Sequence, residues 1–136
     1  NRNMLNNSWQ WECNFQSSYF EMKDAFVRSA AEADLSVHSY PLPNHPSLST
    51  DVVVVDGSHS NNKILLHISG THGPEGYGGS AIQISFLKQI VLCKKDPVCR
   101  DRMDNDWPTI VMVHALNAYG FANNRRFTEE NVDLNR

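Results

Sequence analysis

The sequence predicts an α/β domain, with helices packed on a sheet. Three observations predict it. Residues 63–69 and 110–113 are short apolar runs bounded by turn signals. Residues 80–93, between them, carry a wide apolar stripe at helical spacing, which gives strand, helix, strand in order. The run at 110–113 is apolar without alternation, as in a strand buried on both faces.

Taken in order, residues 1–14 are Asn-rich and read as frayed, apart from Trp9 and Trp11, which are expected to pack on something. Ser17 or Ser18 can cap a helix, with Glu21 three residues after Ser18 as in a capping box. The helix runs over residues 19–33, with Phe20, Phe26, Val27 and Ala30 near one face and Lys23, Asp24 and Arg28 outside. Asp34 ends it. Residues 35–40 alternate as a strand does, and Pro41, Pro43 and Pro46 then impose an extended, solvent-facing connection. Residues 52–55 form a β-branched strand, residues 58–62 a turn, and residues 63–69 a second strand antiparallel to the first. Residues 70–79 hold five glycines and one proline and read as a loop. In the helix after it Ile82, Phe86 and Ile90 lead the stripe, flanked by Ala81, Ile84, Leu87 and Val91. Residues 94–107 are polar, an excursion from the core, and residues 116–136 have no clean period.

Composition excludes some functions. A chain of 136 residues suffices for one domain with a real core. Twelve basic against fifteen acidic residues leave a net charge of −3, without the basic excess of a nucleic-acid binder. No stretch reaches the roughly 18–20 apolar residues of a membrane span. The first residues lack the apolar core of a signal peptide. The first Met is Met4, so a leader lost upstream would make the protein secreted, and the cytoplasm is only the default. Three cysteines are not a disulfide framework. Cys93 and Cys99 flank a Lys-Lys-Asp-Pro turn and either pair or stay free thiols.

Two segments carry chemistry. The first, Ser-Gly-Thr-His-Gly-Pro-Glu-Gly-Tyr-Gly-Gly-Ser, spans residues 69–80 between a strand and a helix, where α/β proteins bind ligands. A Gly-Pro turn between His72 and Glu75 can aim both at one point, and imidazole and carboxylate both suit Zn²⁺. On spacing alone, a polar loop with a Glu near a helix N-terminus is the better reading. Residues 76–81 also match G-x-G-x-x-A, a dinucleotide fingerprint, although six residues separate it from its strand and no strand-end acid follows about 20 positions on. The second segment runs from His114 through Arg125-Arg126 to Asn131-Val-Asp-Leu-Asn-Arg136. Arginine forks grip carboxylates and Asn adds a donor, although a solvated Arg-rich loop has the same composition, Arg125 above all.

Together these segments resemble the zinc carboxypeptidase superfamily, which includes aspartoacylases and succinylglutamate desuccinylases, and within it a poorly characterised carboxypeptidase-like branch. The likeness covers residues 64–136, in the stretches around His72 to Gln83 and from Val113 to Arg136. It implies a three-layer sandwich with a mixed, mostly parallel twisted sheet, and His72 and Glu75 as the first two zinc ligands. Asp133 would hold the ligand histidine, Asn135 and Arg136 the substrate carboxylate, and Arg126, or alternatively Arg125, the developing oxyanion. Ala118 stands where the family usually has Pro, which loosens a turn and removes no chemistry. The family takes its third ligand His and general-base Glu from a C-terminal half, which is expected to lie beyond Arg136. Residues 1–16 are then expected to be an extension and residues 17–136 the N-terminal portion of one truncated domain.

His114 reads as a packed or hydrogen-bonded strand-end residue. His38, His45, His59 and His67 read as structural or solvent-exposed. The resemblance implies a zinc-dependent amide hydrolase acting on a peptide or an N-acyl amino acid with a free carboxylate, inactive as these 136 residues alone. The competing readings are a non-catalytic carboxylate-binding domain and a dinucleotide-binding fold on residues 76–81.

Overall fold

A computed structural model describes residues 14–136. Its elements in chain order are α1 (Tyr19–Glu32), β1 (Val37–Leu42), β2 (His45–Val55), β3 (Ile64–Ile68), α2 (Gly73–Lys95), α3 (Pro97–Asp106), β4 (Thr109–His114) and α4 (Ala118–Ala122). The expectations for Trp9, Trp11 and the rest of residues 1–13 lie outside the described residues. Asn14, expected to fray, is buried and hydrogen-bonded to Ser85 and Lys88 of α2.

Helix α1 starts where the capping pattern places it. Ser18 accepts the Glu21 N–H, but the Glu21 carboxylate reaches back to Ser17, not to the cap itself. The buried stripe is Tyr19, Met22, Phe26, Ser29 and Ala30. Phe20, expected inside, is exposed, because the i, i+3, i+7 row belongs to Tyr19. Asp34 closes the helix in a left-handed conformation at φ 57°.

The class is α/β, and the four strands form a mixed sheet in the order β1-β2-β4-β3. Strands β2 and β3, expected from the sequence to pair antiparallel, are not partners. Strand β4 lies between them, antiparallel to β2 and parallel to β3. Its apolar residues take the central place, and the α2–α3 crossover returns the chain parallel to β3, as a crossover of that length permits. Because β1 and β2 also pair antiparallel, only one of the three described pairings is parallel. The prolines do not break the first strand: Pro41 sits on the edge strand β1 and Pro46 at the start of β2, the positions a ladder tolerates.

Helix α2 begins at Gly73, earlier than composition predicts, with Pro74 in its first turn. It buries Ala81, Ile84, Leu87 and Ile90 against α1 and the sheet, whereas Ile82 is exposed and lines, with Leu65, His67, Phe86 and Met112, an apolar cleft of about 90 Å³. Cys93 and Cys99 are disulfide-bonded across the corner into α3, a helix with no buried residue. The core packs Tyr19, Phe26 and Phe121 edge-on and stacked around His114. Among the described residues no helix is long and apolar enough to cross a membrane.

Candidate functional site

Parallel strands β3 and β4 end side by side, and their loops are laced together by backbone bonds. Leu116 N donates to Ser69 O and Asn117 N to Gly70 O, both at 2.9 Å. Gly70 (φ 67°) and Ala115 (φ 56°) take left-handed conformations that turn the two chains over the strand ends. Gly73 N donates to Arg125 O at 3.0 Å, and a Cβ on Gly73 would collide with the Gly120 carbonyl. The glycines expected to form an open loop thus serve close packing. Gly76 lies in α2 with Phe121 against it, and Gly79 has Ser69 against it. Residues 76–81 lie inside the helix, so their N–H groups are committed to it and cannot cradle a pyrophosphate.

His72 is the N-cap residue of α2, buried at 7% exposure, and Glu75 stands one turn on, exposed. His72 Nε2 lies 3.0 Å from Asp133 Oδ1. A carboxylate only accepts, so Nε2 carries the hydrogen. Nδ1 faces Glu75 Oε2 at 3.3 Å: a protonated ring meets it as an ion pair, whereas a neutral ring presents two facing acceptors, between which a cation can lie. Their separation is about the edge of a tetrahedron with bonds of ~2.0–2.1 Å, as at zinc. The donor pair fits the ion on chemistry and spacing. Among the described residues no set of three such side chains converges.

Asp133 is the hub. Its Oδ2 accepts from Arg126 Nε at 2.9 Å and lies 3.8 Å from Arg136 Nε; its Oδ1 accepts from Asn135 N at 3.0 Å. The His72 hydrogen bond, then the Asn135 N–H and then Arg126 hold its carboxyl far below the usual carboxylate range. Arg126, Asp133, Asn135 and Arg136 therefore gather with His72 and Glu75. Arg125 does not share Asp133: its guanidinium takes Asn131 Oδ1 and lies over the Tyr119 ring. Asn117 went unremarked as a functional residue in the sequence. It caps α4 through Gly120 N and donates to Arg126 O at 3.2 Å, holding the arginine's backbone in place.

His114 is buried and bound to Ser80, as a strand-end histidine was expected to be. A comparison with curated proteins finds no match. A family described as "Protein of unknown function (DUF2817)" matches residues 15–136, nearly the whole chain, and the chain belongs to that family.

Proposed function

We propose that this chain supplies two zinc ligands, His72 and Glu75, and the carboxylate grip of an amide hydrolase of the metallocarboxypeptidase kind, whose substrate is a peptide or an N-acyl amino acid with a free carboxylate. The observation that carries the reading is the His72 arrangement, with one nitrogen held by Asp133 at 3.0 Å and the other facing Glu75 at 3.3 Å. Zinc bound there would polarise a carbonyl and activate water. Asp133 fixes the His72 tautomer and ring orientation. Arg126 shares only its Nε with Asp133 and is 42% exposed at the side chain, so its remaining N–H groups can meet a developing oxyanion. Arg136 is more exposed still and, with Asn135, can hold the substrate carboxylate.

A catalytic zinc centre uses three protein ligands. The described residues bring two, so the expected result for the 136-residue chain is weak metal binding and no turnover. The test is a zinc titration of the chain followed by NMR of the His and Glu side chains. The reading expects His72 and Glu75 to respond together, the response to vanish in His72→Ala, and Asp133→Asn to weaken it by about 10–100-fold. Zinc that perturbs other histidines but leaves His72 untouched would show the site misassigned.

A further inference from the structure

Beneath the site, hydrogen-bond accounting leaves two atoms over. Asp51 of β2 and His114 of β4 are both fully buried. Asp51 Oδ1 accepts from Ser39 Oγ at 2.6 Å and Ser49 Oγ at 2.8 Å. Lys23 Nζ donates to Ser49 Oγ at 2.6 Å, and the Tyr19 hydroxyl closes both the N–H and the C=O of Ser49. On the far side Ser80 Oγ meets His114 Nε2 at 2.7 Å. Among the described residues, the buried side-chain atoms without a partner are Asp51 Oδ2 and His114 Nδ1.

These two face each other at 3.9 Å, too far for a direct hydrogen bond, and Lys23 Nζ stands 4.0 Å from Oδ2. An unmet buried polar atom is costly, and protein interiors relieve that cost with ordered water. We propose that one internal water molecule occupies this place, bridging His114 Nδ1, Asp51 Oδ2 and Lys23 Nζ. A water at ~2.8 Å from both buried atoms would see them at an angle of about 88°, an acceptable geometry, and buried waters average about three partners.

In the neutral ring one nitrogen donates and the other accepts, and the Ser80 hydroxyl can serve Nε2 in either role. A water accepts from the Lys23 ammonium and donates to Asp51 Oδ2, and it can accept from or donate to Nδ1, so both tautomers are served. Burial, and secondarily Lys23, push the imidazole pKa down to about 3, which agrees with a neutral ring. The order Ser80, His114, Asp51 is that of a nucleophile, base and orienting acid. Ser80 is fully buried, however, and no substrate reaches it. The water instead ties α1, β2, β4 and, through Ser80, α2 together.

An atomic-resolution crystal structure of the chain near neutral pH tests this. The expected result is one water peak within hydrogen-bond reach of all three atoms. Oxygen-17 relaxation dispersion on the same wild-type protein should detect a long-lived water in solution. Direct Nδ1–Oδ2 contact with no peak between, a peak with the coordination of an ion, or no long-lived water in solution would each overturn the proposal.

Discussion

Acidification should destabilise this protein through His114. The imidazole has an unfolded pKa of ~6.5. In the fold it is pushed down to about 3, first by burial and then by Lys23. Asp51 Oδ2, 3.9 Å away, would oppose this, but Lys23 already stands 4.0 Å from the same oxygen. The folded pKa lies below the unfolded one, so between them the unfolded chain binds more protons. Stability is then fully present above the unfolded pKa and falls with pH down to the folded pKa. For this single group the loss at pH 5 is about 2 kcal/mol, and near pH 7.5 it is negligible. Urea unfolding at both pH values, for wild type and His114→Gln, isolates the term. Gln offers Ser80 both a donor and an acceptor and does not titrate. The difference between the two proteins should change by about 2 kcal/mol from the upper to the lower pH. Parallel losses in both proteins would remove His114 as the cause. A wild type that gains on Gln at low pH would show that Asp51 captures the imidazolium, reversing the sign.

Three further outcomes follow from particular contacts. Reducing Cys93–Cys99, which closes a loop of sequence separation 6, should cost about 2 kcal/mol in the chain-entropy model, read as a shift of the urea midpoint. The loss should be accompanied by fraying of α3, which buries nothing of its own, visible in amide exchange. Gly73→Ala should destabilise by ~3 kcal/mol or more, since its Cβ meets the backbone carbonyls of Gly120 and Arg125. Gly78→Ala has open space at the same end of α2 and should stabilise by about 0.5–1 kcal/mol; a loss there would mean that the first turns of α2 are not helical in solution.

Local signals in this sequence were legible and long-range ones were not. The start of α1 could be read because Ser18 and Glu21 act on neighbouring backbone. The neighbour of β2 could not, because the rival partners, β3 and β4, are both apolar and only the crossover decides between them. Prolines hid the long strand β2 and its hairpin with β1, since a residue type says nothing about lying on an edge. The glycines of residues 73–79 read as loop for the same reason: their propensity is poor, and the contacts to Gly120, Phe121 and Ser69 that override it come from elsewhere in the chain. In the site, His72, Glu75 and Asp133 could be named only through the family resemblance of two ordered segments, since spacing alone favoured a polar loop. The direction in which each His72 nitrogen points could not. Nor could the grouping of Ser80, His114 and Asp51, whose members share no spacing.

The same glycines explain how two distant segments come together at the candidate site. His72 belongs to α2, and Arg126 and Asp133 to the irregular chain after α4. No regular element spans the gap. Gly73 N bonds Arg125 O, Arg125 N bonds Gly120 O at 2.8 Å, and Asn117 Nδ2 holds Arg126 O. Each bond needs a backbone approach that a side chain on Gly73 or Gly120 would block. The Arg126–Asp133–His72 side-chain contacts of 2.9 Å and 3.0 Å thus stand on segments that these bonds hold together. A substitution that opens the Gly73–Arg125 bond should therefore disturb the His72 ring and the guanidinium together. One that removes only the Arg126 side chain should leave His72 in place, because Asp133 keeps its bonds to His72 and Asn135.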